Sequence, residues 1–157
     1  MLEQVNKGFL ESAAIDGYYI DACLVSFDTA SRKGRYAAAG HPHCFIFQKE
    51  GAGYRMREHL GVQSPMLGMN EAARFGEVEF QLEAHELLVL TSDGMTESPC
   101  ADGKRFGTGG ITRFFEGYRG DSPLADLLAD VRGHSPSSRL EDDVSAVLVA
   151  PAGAPAG

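Results

Sequence analysis

The feature that most constrains the fold is an apolar run that ends abruptly in a small acidic turn. Residues 87–90 read Leu-Leu-Val-Leu, and Thr91, Ser92, Asp93 and Gly94 follow at once. Four consecutive apolar residues bounded by turn residues predict a strand that is buried on both faces. A carboxylate at the end of such a strand is costly unless a hydrogen-bonded turn, a helix N-terminus or a cation compensates for it. Which of these compensates for Asp93 is the main functional question that the sequence raises.

The order of the predicted elements indicates an α+β fold. Helices are predicted at residues 1–14, 109–118 and 124–131, the last with Ser122 as N-cap and Pro123 in its first turn. Strands are predicted at residues 18–27, 35–39, 44–48, 54–57, 75–82, 86–91 and 144–150. The strands follow one another in hairpins, and the helices are grouped at the start and near the end. A doubly wound parallel sheet would need strand and helix to alternate, so helices packed on antiparallel sheets are expected instead.

Length, charge and cysteine content bound the class of protein. The 157 residues suit one domain over residues 1–150, and the final PAGAPAG, residues 151–157, is expected to be a disordered tail. The formal net charge is −8, which argues against nucleic acid or an anionic membrane as partner and suits a cytoplasmic protein or one that concentrates divalent cations. Cys23, Cys44 and Cys100 form no CxxC, so reduced thiols are expected rather than a zinc site. No signal peptide or membrane span is visible.

Two acidic turns stand where a strand meets a loop. One is Ser92-Asp93-Gly94, and the other is Glu141-Asp142-Asp143, just before the last strand. If the two strands are antiparallel neighbours, both turns lie at the same sheet edge and their carboxylates converge. Converging carboxylates repel unless a cation lies between them, and hard oxygen ligands suit Mg²⁺ or Mn²⁺. The alternative is an ordinary Asp-Gly turn beside a solvated acidic cluster, and the spacing alone leaves both interpretations open.

Several segments in a fixed order resemble a known family. They are AAAGHPHCFIF at 37–47, PMLGM at 65–69, ELLVLTSDGMTES at 86–98, GKRFG at 103–107 and EDDVSAVLV at 141–149. Over about residues 2–149 the chain resembles SpoIIE-type protein phosphatases of the metal-dependent PPM (protein phosphatase 2C-like) family. The resemblance implies an αββα sandwich of two antiparallel sheets flanked by helices. It also implies two Mn²⁺ or Mg²⁺ ions that activate water for hydrolysis of phosphoserine or phosphothreonine, without a phosphoenzyme.

The resemblance also assigns expected roles to individual residues. Asp93 and Asp142 are the expected metal ligands, and no catalytic residue is expected beyond them. Gly94 and Asp143 are expected to be further ligands or close neighbours of the metal. The remaining residues that the family pattern singles out are Thr96 and Glu97, in a segment that switches between inactive and active states, and Gly40 and His41, in a structural A-G-H turn.

One family motif is not found in this sequence. Relatives carry G-D-x-x-G-H-G on early strands, and its aspartate bridges both metals, whereas the early aspartates here, Asp16 and Asp21, match no such motif. The chain begins at the family's helix, matched by Leu2, Asn6 and Leu10. We therefore expect the N-terminal strands of the domain to be missing and this chain alone to be inactive.

Three functions stay open from the sequence. The first is a phosphatase that acts on a phosphorylated regulatory protein in bacterial signalling, by resemblance an anti-sigma-factor antagonist. The second is a degenerate phosphatase domain that serves as a protein-binding module in sigma-factor regulation. The third is a carboxylate-rich metal-binding protein without phosphatase activity. The oligomeric state and any upstream sensor domain cannot be read from these residues.

Overall fold

The structure is a computed structural model that describes residues 1–12, 17–40, 43–136 and 140–151. Its helices are α1 (Leu2–Glu11), α2 (Asp93–Thr96), α3 (Gly107–Gly117) and α4 (Pro123–His134). Its strands are β1 (Ala22–Asp28), β2 (Lys33–Ala39), β3 (His43–Glu50), β4 (Gly53–His59), β5 (Glu77–Gln81), β6 (Glu86–Thr91) and β7 (Ala146–Val149). The strands form two antiparallel sheets, so the expected α+β class is confirmed.

One compact unit comprises Met1–Pro42 and Leu60–Gln81. Its sheet has the strand order β1-β2-β5, and α1 contributes Leu2 to a small core with Ala39 and Leu67. Asn6 is the buried polar residue on α1. Its amide nitrogen donates to Asn70 O at 2.8 Å, and its amide oxygen accepts from the Gly68 backbone N–H at 2.8 Å. Both polar ends of this side chain are therefore satisfied, and they anchor the loop that follows Leu60 to the helix.

The other unit comprises His43–His59 and Leu82–Gly157, and it contains the acidic turns. Its sheet has the order β4-β3-β6-β7. Strand β6 is the buried strand that the apolar run predicts, with Leu88 and Val89 fully buried. Helices α3 and α4 belong to the same unit. Its core joins sheet and helix residues, namely Phe45, Phe47, Leu87, Val89, Met95, Phe106, Ile111, Phe115, Leu127 and Val131.

Several predicted boundaries differ from the observed ones. The first strand begins at Ala22 rather than at Tyr18, because Tyr18 and Tyr19 are exposed and Ile20 makes only an isolated bridge to Leu67. The fifth and last strands are shorter than predicted, at Glu77–Gln81 and Ala146–Val149. Ser122 is the N-cap residue of α4, but its side chain makes no capping hydrogen bond.

The expectations for residues 13–14, Asp16, His41 and the tail at 152–157 lie outside the described residues. Among the helices of the described ranges, none is both long enough and apolar enough to cross a membrane.

Candidate metal centre

Strand pairing brings the two acidic turns to one sheet edge. Strands β6 and β7 are antiparallel, with Leu90 opposite Val147 and Thr91 opposite Ala146. Beyond the last pair, the Ser92 backbone N–H donates to Ser145 O at 3.0 Å, and the Ser145 N–H donates to Ser92 Oγ at 3.0 Å. The end of β6 and the start of β7 are therefore held together, which confirms the arrangement on which the sequence argument depended.

Gly94 is the point of closest approach between the turns. A Cβ atom built on Gly94 would lie 2.4 Å from the carbonyl oxygen of Asp143 and 3.4 Å from Cβ of Asp142. The Ser92 hydroxyl donates to the same Asp143 carbonyl at 3.4 Å. Because a real Cβ does not approach an oxygen this closely, only glycine lets the two turns touch here. This contact explains in steric terms why glycine follows Asp93.

The carboxylates at this edge have no positive partner among the described residues. Asp93 is half-buried, whereas Asp142 and Asp143 are exposed. Asp93 Oδ1 accepts from the Gly94 N–H at 2.8 Å, and Asp142 Oδ1 accepts from the Asp143 N–H at 2.7 Å. In the described ranges, neither Asp93 nor Asp142 forms an ion pair with a basic side chain. Each turn is thus stabilised by a local hydrogen bond, and the negative charge stays available to a cation.

A buried hydroxyl lies next to this edge. Thr91 is 3% exposed, and its Oγ1 has no hydrogen-bond partner among the residues that the structure describes. Such an atom is costly unless a group from outside satisfies it. The carboxylate donors of the two turns and the close contact at Gly94 fit a hard divalent cation. The described part of the chain places no group of three or more His, Cys, Asp or Glu side chains for a metal, so these turns supply an incomplete ligand set.

The residues after Asp93 form the short helix α2, which the sequence argument did not predict. Thr96 is buried, and its hydroxyl donates to Asp93 O at 3.1 Å, while the Glu97 N–H donates to the same oxygen at 2.7 Å. The Ser98 hydroxyl donates to Gly94 O at 2.7 Å. Thr96 and Ser98 therefore fix the backbone around Asp93, since each satisfies a carbonyl at the turn.

Glu97, the second residue of the expected switch segment, faces outward. It is exposed and forms an ion pair with Arg105. Sequence reasoning assigned no role to Arg105 or Ser98, although Arg105 lies in the GKRFG segment that carries part of the resemblance. The Phe106 N–H donates to Ser98 O at 2.8 Å, which ties this segment to the turn. The structure thus connects residues 97–98 to 105–106.

Two antiparallel sheets with helices, and two aspartate turns at one edge of the second sheet, agree with the fold that the family resemblance implied. The chain belongs to the family described as Stage II sporulation protein E (SpoIIE), which matches residues 1–151. This family membership confirms the resemblance seen in the sequence. A search of curated proteins finds no match.

Solved structures show the same fold at low sequence identity. The SiaA-PP2C domain of Pseudomonas aeruginosa is 17% identical with a TM-score of 0.71, and the match covers 93% of this chain and 56% of that one. The phosphatase domain of Bacillus subtilis SpoIIE, Mn presoaked, is 21% identical with a TM-score of 0.66 and coverages of 94% and 63%. The RsbU and RsbW domains of a Mycobacterium tuberculosis protein are 22% identical with a TM-score of 0.70 and coverages of 94% and 40%. The chain thus spans 40% to 63% of the lengths of these three solved chains.

Proposed function

We propose that this chain contributes the aspartate turns of a metal-dependent phosphatase that removes phosphate from serine or threonine of a regulatory protein. The observation that carries the proposal is the contact of the Gly94 turn with the Asp142-Asp143 turn, which places unpaired carboxylates at one edge. Family membership over residues 1–151 supports the same reading.

Asp93 and Asp142 would hold Mn²⁺ or Mg²⁺, and Asp143 and Gly94 would lie next to the ions. When bound, the two ions would lower the pKa of a water molecule and offset charge on the phosphoryl oxygens. The other residues of these turns would act by positioning the metal ligands. Ser92, Thr96 and Ser98 hold the backbone of the two turns through the hydrogen bonds described above. A further ligand would complete the set, as the family's G-D-x-x-G-H-G aspartate does in relatives.

The proposed substrate is a phosphorylated protein of the anti-sigma-factor antagonist type. Support comes from the relatives alone, since one solved chain contains RsbU and RsbW domains and another is called a cell fate determinant. The negative formal charge of −8 agrees with a protein substrate rather than with nucleic acid.

A second candidate function is a degenerate domain that binds such a regulator without hydrolysing phosphate. The observation that favours it is that the described residues bring no group of three or more His, Cys, Asp or Glu side chains together for a metal. Binding alone would not need Asp93 or Asp142, so the two candidates differ in what happens when these residues are changed.

The test is a phosphate-release assay on a phosphoserine protein, with and without Mn²⁺. It compares this chain with a longer chain, in which strands that carry the G-D-x-x-G-H-G motif are joined before Met1. We expect little release by the short chain and Mn²⁺-dependent release by the longer one, with most of it lost in Asp93→Asn. Asp102→Asn is the matched control, because Asp102 is an exposed aspartate that forms an ion pair with Lys104. A longer chain that is inactive yet still binds the regulator would favour the binding module.

A further inference from the structure

A concave site lies at the end of β6 and β7 opposite to the acidic turns. The cavity has a volume of about 500 Å³, within the range of small-molecule sites. Leu87, the second residue of β6, and Leu148, near the end of β7, both line it. Leu87 precedes Asp93 by six residues, which is about 20 Å along an extended strand at about 3.3 Å per residue. The cavity is therefore separate from the candidate metal centre.

The lining of this cavity combines apolar surface with basic groups. Tyr54, Leu87, Pro123 and Leu148 supply apolar surface, and Lys49, His85 and Arg119 supply basic groups against a single acidic residue, Asp121. In the chain as a whole the balance is reversed, with 22 acidic and 14 lysine and arginine residues. A local excess of positive charge in an acidic protein requires an explanation.

Lys49 and Arg119, the two strong cations of the cavity, have no acidic partner among the residues that the structure describes. Lys49 lies opposite Tyr54 in the β3–β4 hairpin, and its Nζ is 5.0 Å from the centre of the Tyr54 ring. Arg119 donates through Nη1 to the carbonyl oxygens of Glu116, at 2.9 Å, and Tyr118, at 2.7 Å. Within the described ranges neither Lys49 nor Arg119 forms an ion pair, although most other basic residues of the hairpins do. Their charges are therefore available to an anion.

The position of Arg119 depends on a glycine in the hairpin. A Cβ atom on Gly53 would lie 2.2 Å from Arg119 Nη1 and 2.5 Å from Glu116 O. The absence of that side chain lets the guanidinium group rest directly against the hairpin that carries Lys49 and Tyr54. The segment after helix α3 and the β3–β4 hairpin thus bring two cations and an aromatic ring to one cavity.

We propose that this cavity binds a small organic anion, with a carboxylate or phosphate group held by Lys49 and Arg119 and an apolar body over Tyr54, Leu87 and Leu148. The apolar lining favours an organic anion over a bare inorganic ion, because only an organic body buries apolar surface there. Asp121, the acidic residue of the lining, should weaken anion binding by repulsion, so its removal should strengthen the binding of an anion.

The test is a titration of the ¹⁵N-labelled chain with 2-naphthoate, followed by amide chemical shifts, with the neutral 2-naphthalenemethanol as matched probe. We expect saturable shifts of the Gly51, Gly120 and Leu148 amides at about millimolar 2-naphthoate, the affinity that a probe of this size reaches at ordinary ligand efficiency. The neutral alcohol should bind about five- to tenfold more weakly, because it lacks the charge-assisted contacts.

Substitutions decide whether these cations are responsible. Lys49→Met should weaken 2-naphthoate binding about fivefold, and Asp121→Asn should strengthen it about twofold, whereas the alcohol should be insensitive to both. Arg119→Met should weaken 2-naphthoate binding to the same extent as Lys49→Met. The control is Lys104→Met, at an exposed lysine paired with Asp102, which should leave 2-naphthoate binding unchanged. Equal binding of acid and alcohol, shifts at other amides, no saturation, or no effect of Lys49→Met would each overturn the proposal.

Discussion

Gly94→Ala should separate the two acidic turns. The new Cβ would start 2.4 Å from Asp143 O, and ordinary van der Waals contact begins at 3.4 Å, so one turn must move by about 1 Å. Asp143 O is a backbone atom, so no flexible side chain can swing aside to make room. The Ser92 hydroxyl bond to that carbonyl should also lengthen.

The expected change in the free energy of unfolding is the difference between two opposing contributions. Overpacking of this kind costs about 1–3 kcal/mol, and alanine at a helical position of α2 returns up to about 1 kcal/mol relative to glycine. We expect a net loss of about 1–2 kcal/mol in the free energy of unfolding. Urea unfolding should show this as a midpoint lowered by about 0.5–1 M. The Asp143 and Ser145 amide shifts should move in the same variant, since they report the displaced turn.

Gly133→Ala is the matched control. Gly133 lies in α4, and an added Cβ there would meet no atom within 4 Å. That variant should be unchanged or stabilised by up to about 1 kcal/mol. If Gly94→Ala is as stable as the unaltered chain and its Asp143 amide does not shift, the steric account of the acidic edge is wrong.

Three further predictions concern the same unit. Arg57→Met should cost about 2 kcal/mol of unfolding free energy, because it leaves Glu86, whose side chain is 2% exposed, without its 2.7 Å ion pair. The control is Arg55→Met, at an exposed ion pair, which should cost less than about 0.5 kcal/mol. Urea unfolding measures both. Burial lowers the pKa of His59 below its unfolded value of about 6.5, so between the two values the unfolded chain binds more protons than the folded chain. The free energy of unfolding should therefore rise with pH across this window, and it should rise less in His59→Phe. Calorimetry on this chain should find Mn²⁺ affinity of about millimolar strength, since the ligand set is incomplete, and micromolar binding would contradict that view.

The sequence predicts a central strand of the second sheet better than an edge strand of the first. The strand at residues 86–91 matches in both bounds, because an uninterrupted apolar run flanked by turn residues has only one placement. The first strand is placed four residues too early. Tyr18 and Tyr19 have high strand propensity, yet no neighbouring strand pairs with them, so tertiary context overrides propensity.

The candidate metal centre could likewise be predicted only in part from the sequence. From the sequence, the Asp93 and Asp142 turns could be placed at one sheet edge only on the condition that the two strands are antiparallel neighbours, and the structure meets that condition. The contact of Gly94 with Asp143 O and the hydroxyl bond from Ser98 to Gly94 O could not. The first depends on how two segments about 50 residues apart meet, and the second depends on the short helix α2, which the sequence argument did not predict.

The roles of Asp93 and Asp142 as ligands, and of Thr96 and Glu97 as a switch, stay predictions. The structure supplies positions for these residues, with Thr96 bonded to the turn and Glu97 paired outward with Arg105. Their chemistry has to be measured.

The most direct test of the central claim is paramagnetic line broadening of the ¹⁵N-labelled chain by trace Mn²⁺. If the two turns form one cation site, the Gly94 and Asp143 amides should broaden first and together, and excess Mg²⁺ should reverse the effect by competition. Asp93→Asn should abolish this broadening, whereas Asp121→Asn, at the far end of the sheet, should preserve it. Broadening that starts elsewhere on this acidic chain, or that survives Asp93→Asn unchanged, would contradict the account.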